Sequence, residues 1–166
     1  MIVQDSDHPA PDSSLQELLT RVYVGGGYTD AGVAEQVFAP AAVRARGSLY
    51  WIPDHRGNVA GTVMLVPPSS SASRFATAAE GELHLLAVDP ALRGRGLGKA
   101  LVDAVVAEAK NQKYKQLSLW TQPTMQAAHR VYLRAGFVPA SKRDFQRDGR
   151  EFRVMLLELE AQPSGP

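Results

Sequence analysis

Seven consecutive residues, Arg93-Gly94-Arg95-Gly96-Leu97-Gly98-Lys99, combine backbone freedom with positive charge. They follow an apolar, strand-like run, Leu83-His84-Leu85-Leu86-Ala87-Val88, closed by Asp89-Pro90. They lead into a helical pattern carried by Leu97, Leu101, Ala104 and Val105. Glycines at a strand-to-helix turn let the chain curl until successive N–H groups point at one spot. The unpaired amides and the positive end of the helix dipole make that spot an anion site, most naturally for phosphate. Arg93, Arg95 and Lys99 add charge around it.

Two familiar phosphate loops do not fit. A Walker A loop needs Gly at Arg93 and Ser or Thr at Ala100, and the dinucleotide fingerprint needs Gly at Lys99 or Leu101. What does fit is Arg-x-x-Gly-x-Gly at Arg93, Gly96 and Gly98, behind Leu86-Ala87-Val88-Asp89-Pro90. This resembles the pyrophosphate-binding signature of the GNAT superfamily of N-acetyltransferases. A second segment, Ala128-His129-Arg130-Val131-Tyr132-Leu133-Arg134-Ala135-Gly136-Phe137, is similar to that superfamily's A-x-x-x-Y-x-x-x-G-F element. The resemblance covers residues 48–138 in order and spacing and is looser over the first 47. It departs at Met125, where many members carry Asn, and at Trp120-Thr121-Gln122-Pro123, which is not the commonest form of the preceding strand end.

The resemblance implies acetyl-CoA as co-substrate. Its pyrophosphate is expected on the amides of Gly94, Gly96, Leu97, Gly98 and Lys99, with Arg93 flanking. Its pantetheine arm is expected along Leu86, Ala87 and Val88, the Leu86 N–H serving as oxyanion donor where the strand bulges. Glu82 stands where many members place a catalytic carboxylate, acting directly or through water; Glu80 is a nearby rival. Tyr132 corresponds to the phenol that meets the departing CoA sulfur, although its place on an apolar helix face also suits a packing role. Strand alternation predicts that Glu82, His84 and Leu86 project to one side, so that Glu82 and His84 share a cleft. His84 is then a relay, a substrate contact or a lining histidine.

Composition narrows the alternatives. With 166 residues and 45% apolar content, the chain suits one domain with a proper core, and a net charge of +1 argues against a nucleic-acid coat. Without cysteine there is no disulfide framework, thiolate metal site or cysteine nucleophile, and the four histidines show no metal-ligand spacing. No G-x-S-x-G elbow is present, so direct transfer in a ternary complex is preferred over a covalent acyl-enzyme. Met1-Ile2-Val3-Gln4-Asp5 does not read as a signal peptide, and no run approaches the ~18 apolar residues of a membrane span. A cytoplasmic protein without membrane or nucleic-acid partners, and without a metal, is expected.

The elements that position these residues follow in order. Residues 1–12 read as a flexible N-terminus, with Met1–Gln4 the one candidate strand, and 161–166 as a disordered tail; the domain spans 13–160. Leu15, Leu18, Leu19 and Val22 mark a helix that Gly25-Gly26-Gly27 ends. Those glycines are a connector or a mobile rim with Tyr28 as an aromatic wall. A second helical region covers 30–46, with a break at Pro40, and Ser48–Pro53 and Val59–Val66 form a hairpin. The stretch Pro67–Ser73 predicts a mobile loop without chemistry of its own. Later come strands at 117–120, 137–138 and 152–159 and a helix over 124–135, with Asp148-Gly149 as a turn. The charges of Lys142-Arg143-Asp144 and Arg147–Arg150 read as a solvated hairpin, or as a guide for an acidic acceptor.

The fold class expected is α/β: a single GNAT-like domain with a mixed sheet of about six to seven strands and helices on both faces. The leading function is N-acetyl transfer to a small-molecule amine. A non-catalytic acyl-CoA sensor, or an acetyltransferase of protein N-termini or lysines, carries the same motifs. Homodimers are common in the families it resembles.

Overall fold

The computed structural model describes residues 1–75 and 77–159; the expected tail at 161–166 lies outside them. The order is β1 (Val3–Gln4), α1 (Asp12–Tyr23), α2 (Ala31–Val37), α3 (Pro40–Arg44), β2 (Ser48–Pro53), β3 (Val59–Val66) and β4 (Glu80–Val88). After β4 come α4 (Leu97–Asn111), β5 (Gln116–Thr121), α5 (Gln126–Arg134), β6 (Val138–Pro139), β7 (Phe145–Arg147) and β8 (Arg150–Glu158). The strands form one eight-stranded sheet in the order β1-β2-β3-β4-β5-β8-β6, with β7 paired to β8. That is one strand above the expected range. The addition is β7, three residues within the charged hairpin, too short to display alternation. Among the described residues no helix is long and apolar enough to cross a membrane.

Every residue of β3 is buried, so this strand is the floor on which both layers pack. On one face Tyr50, Ile52 and Leu83 meet Leu101, Val102 and Val105 of α4. On the other, Leu49, Trp51 and Met64 meet Leu15, Leu18 and Leu19 of α1. The helical spacing of those leucines orients α1 so that Val22 and Tyr23, at its last turn, reach the site.

The segment expected to be flexible at 1–12 is fastened at several points. Val3 and Gln4 pair with Trp51 and Tyr50, and buried Asp5 accepts from the Ala10 amide at 2.7 Å. Arg44 bridges Asp5 at 2.8 Å and Asp12 at 2.6 Å, tying this segment to α3.

β4 shapes the site through two irregularities. Its register with β3 jumps: Thr62 faces Ala87, but Met64 faces His84, leaving an extra residue on β4. The bulge is centred on Leu85, whose φ is +51°, a costly conformation for a branched side chain. Alternation inverts there. Leu83 packs with the α4 face, Leu85 with the α1 face and Leu86 with the α4 face again. The expectation that Leu86 shares a side with Glu82 and His84 is therefore corrected. A strict period of two does not survive an inserted residue.

The second irregularity lies on the opposite edge. β4 and β5 pair in parallel over Glu80–Glu82 and Gln116–Ser118 only, although both strands run on. Beyond Glu82 they part, and the gap between them is where the site forms.

Candidate active site

One continuous cavity of about 1420 Å³ occupies that gap. The glycine turn borders one end, β4 from Leu83 to Val88 forms a wall, and α1, α2, β5, α5 and the β7–β8 turn close the rest.

At the turn, Gly94 and Gly96 both have φ of +80°, which L side chains resist, and Gly96 caps α4 without a side-chain bond. Among the described residues no amide from Arg93 to Lys99 donates to the protein; Ala100 is the first to do so, to Gly96 at 3.1 Å. The unpaired N–H groups of the first turn of α4 thus face open space, as an oxyanion ligand requires. Arg93 and Lys99 border the same end, Lys99 pairing with Asp103 at 2.6 Å. Arg95, read from sequence as part of the charge cluster, is exposed and does not line the cavity.

The bulge orients two peptide groups. Thr62 Oγ1 donates to the Leu85 carbonyl at 3.0 Å, which turns that oxygen toward β3. In a trans peptide the following N–H points the other way, so the Leu86 amide faces the gap left by β5. The Tyr23 hydroxyl donates to the Leu86 carbonyl at 2.9 Å, fixing the next peptide as well. Ala87 and Val88 continue the wall toward the turn.

Glu82 and His84 do come together. Glu82 Oε1 lies 3.0 Å from His84 Nε2. Glu82 is 1% exposed and does not line the cavity, whereas His84 does. The carboxylate also accepts from Ser73 Oγ at 2.8 Å and from the Arg74 and Phe75 amides at 3.0 and 2.9 Å. Burial alone would raise its pKa, but these donors and His84 outweigh burial and hold it below the usual carboxylate range. The loop expected to be mobile is in this way anchored by Glu82, and Ser71 and Ala72 border the cavity. Burial lowers the pKa of His84; Glu82 opposes the shift, while Arg46 and Arg147 reinforce it. With Nε2–H given to Glu82, the Nδ1 lone pair has no hydrogen-bond partner among the described residues. Trp120 packs edge-on to the imidazole at 4.6 Å.

Tyr132 lines the cavity from α5 while packing on Phe137 at 5.8 Å. Burial, with the nearby Tyr23, raises its pKa well above the ordinary phenol value. Its hydroxyl makes no hydrogen bond among the described residues. Met125, in place of the usual Asn, occupies the α5 N-cap without a side-chain cap bond; Thr121 Oγ1 approaches its sulfur at 3.4 Å. Glu80 is excluded from the site. It is 1% exposed and tied to Arg143 at 2.9 Å, to Ser118 at 3.2 Å and to Gln116.

Several lining residues carried no readable signal. Arg143 is half-buried and paired with Glu80, outside the cavity lining, whereas Arg150, half-buried, and Arg147, exposed as a solvated hairpin would have it, both border the cavity. Arg150 donates to Gly27 at 2.6 Å and pairs with Asp30 at 2.8 Å, and Gln122 donates to Tyr28 at 2.8 Å. These contacts pin the triple-glycine turn and set Tyr28 in the wall. Arg46 lies between α3 and β2, where no periodicity reports its direction. Tyr23 was findable: it lies four residues after Leu19 on the buried face of α1.

Residues 13–137 match the model of the acetyltransferase (GNAT) family. N-acetyltransferase 8B of Rattus norvegicus is 33% identical over 117 residues, 69% of this chain and 46% of that protein, so the chain spans about half the length of this curated relative. An acetyltransferase from Streptococcus agalactiae superposes with a TM-score of 0.75 at 18% identity, covering 96% of this chain and 98% of the other. An acetyltransferase from Bacillus subtilis, solved in complex with CoA, gives 0.66 at 17% identity over 96% and 98%. At these identities the structures report the fold alone, and the sequence model reports descent. With the open amides after β4, the parted strands and α5 all in place, the chain belongs to the GNAT acetyltransferase family.

Proposed function

We propose that the protein transfers an acetyl group from acetyl-CoA to the primary amine of a small molecule, by direct attack with both substrates bound. The observation that carries this reading is the unpaired amide cluster of residues 93–99 opening onto the same cavity as His84 and Tyr132. The amides of Gly94, Gly96, Leu97, Gly98 and Lys99, with Arg93, hold the diphosphate, and Leu86 to Val88 hold the pantetheine arm.

A free ammonium has a pKa of about 10, and only the neutral amine attacks. As its bond to the acetyl carbon forms, the nitrogen becomes strongly acidic and releases a proton to His84 Nδ1. His84 is neutral at neutral pH because its pKa is lowered, and Glu82 fixes its tautomer. Glu82 therefore acts through His84 and is a positioning residue. The Leu86 N–H receives the developing oxyanion. The C–S bond then breaks, and Tyr132 donates a hydrogen bond to the departing thiolate. Because burial makes this phenol a weaker acid than a thiol of pKa about 8.5, its hydrogen bond steadies the thiolate and solvent supplies the final proton.

A screen of primary amines with acetyl-CoA, read by free-thiol release, tests this. Amine-dependent release supports transfer. Tight acetyl-CoA binding without release for any amine would make the protein a sensor instead.

A further inference from the structure

The cavity carries a second concentration of positive charge, away from the glycine turn. Arg46, half-buried after α3, and Arg147, at the end of β7, both line it. Neither forms an ion pair among the described residues, whereas neighbouring Arg150 is bound to Asp30 at 2.8 Å. Arg147 lies over the Phe152 ring at 5.4 Å. Both guanidinium groups face the same cavity as His84; burial lowers the Arg46 pKa, Tyr23 opposes the shift and the charge of Arg147 adds to it. Like charges facing one cavity repel, and a bound anion reverses that cost through charge-assisted bonds.

That anion is not the diphosphate. Ring contacts place Arg147 at the His84 end, since it lies over Phe145 at 6.0 Å, Phe145 meets Trp120 at 6.1 Å and Trp120 meets His84 at 4.6 Å. From His84 the strand runs four residues, about 13 Å, to Val88 before the glycine turn begins. Nor does the cavity neutralise the pair internally. Of the carboxylates that line the cavity, Asp30 is taken by Arg150, and Asp148, exposed like its neighbour Arg147, forms no ion pair among the described residues. The adjoining walls are apolar: Val33, Val37, Phe38 and Phe152. A ligand bearing an amine, an anion and an apolar group matches all three surfaces at once.

We infer that Arg46 and Arg147 bind a carboxylate carried by the acceptor itself, so that the acceptor is an amine of amino-acid type with an apolar side chain. This rests on the acetyl-transfer reading and adds a substrate class to it. Polycationic amines are disfavoured by the same two charges.

The test measures product binding as well as turnover, so the two readings fail separately. Calorimetry on the CoA-saturated protein compares N-acetylphenylalanine and N-acetylleucine with their decarboxylated counterparts, N-phenethylacetamide and N-isopentylacetamide. The carboxylated forms should bind at least tenfold more tightly. Combining Arg46→Gln with Arg147→Gln should erase the difference, and Arg46→Lys alone should keep part of it. An unchanged thermal shift with acetyl-CoA checks that the variants are folded. Equal binding of both forms to the wild type, or a preference that survives the double substitution, overturns the inference. Thiol release that is amine-dependent but indifferent to the carboxylate overturns it too, while leaving acetyl transfer standing.

Discussion

At one end of the cavity a single run of seven residues presents backbone amides; at the other, side chains converge from α1, α2, the Arg46 connection, β4, β5 and the β7–β8 turn. The first end depends on φ angles near +80° at two glycines and on the start of one helix. The second depends on tertiary ties such as Arg150 to Asp30 and Glu82 to the 73–75 loop. A backbone cradle is indifferent to what lies elsewhere in the chain. A side-chain wall can be rebuilt without touching it. The donor end is accordingly suited to one invariant ligand, and the acceptor end to a specificity of its own.

This contrast breaks first at the cradle. Gly96→Glu forces a side chain into the left-handed region, a strain of about 1–2 kcal/mol, and sets a negative charge against the diphosphate. It should abolish the acetyl-CoA thermal shift and all transfer, whatever the acceptor. A retained shift would mean that the diphosphate binds elsewhere.

Changes at the acceptor end should spare donor binding. His84→Gln should cost roughly 100- to 10,000-fold in kcat, the range of a lost general base, with the acetyl-CoA thermal shift intact. In the wild type the acid limb of the kcat profile should lie below pH 6.5, because the pKa of His84 is lowered and the imidazole stays neutral to lower pH. Glu82 pulls that pKa upward, so Glu82→Gln should lower kcat and move the limb to still lower pH. Movement to higher pH would assign the base role to Glu82 itself. Tyr132 sits at the junction of the two ends and should give the smallest loss. Tyr132→Phe should lower kcat by roughly 10- to 100-fold, at or below the low end of proton-transfer effects, with acetyl-CoA affinity unchanged. Wild-type turnover in that variant would leave Tyr132 as packing alone.

The same division governs what can be read from sequence. The cradle is local, so Arg93, Gly96 and Gly98 announce it within six residues, and the hairpin of β2 and β3 is equally plain from two apolar runs on either side of His55-Arg56-Gly57-Asn58. Alternation misleads at Leu85, because the bulge that turns Leu86 toward the gap leaves no mark in a run of apolar residues. Charge misleads as well. Arg143 and Arg147 share a polar stretch, yet one is consumed by buried Glu80 and the other faces the cavity. Which of them meets a carboxylate is decided by the sheet, between residues far apart in the chain. The loop at 67–73 looks unstructured for the same reason: Glu82, which holds Ser73 and the two amides after it, lies on another element.

The central claim is that the main-chain amides after β4 receive the diphosphate. Backbone amide shifts of isotopically labelled protein, followed by NMR during titration with CoA, test it residue by residue. Gly94, Gly96, Leu97, Gly98 and Lys99 should show the largest changes, absent when the titrant is pantetheine without the diphosphate. If those five stay still while CoA binds, the account is wrong.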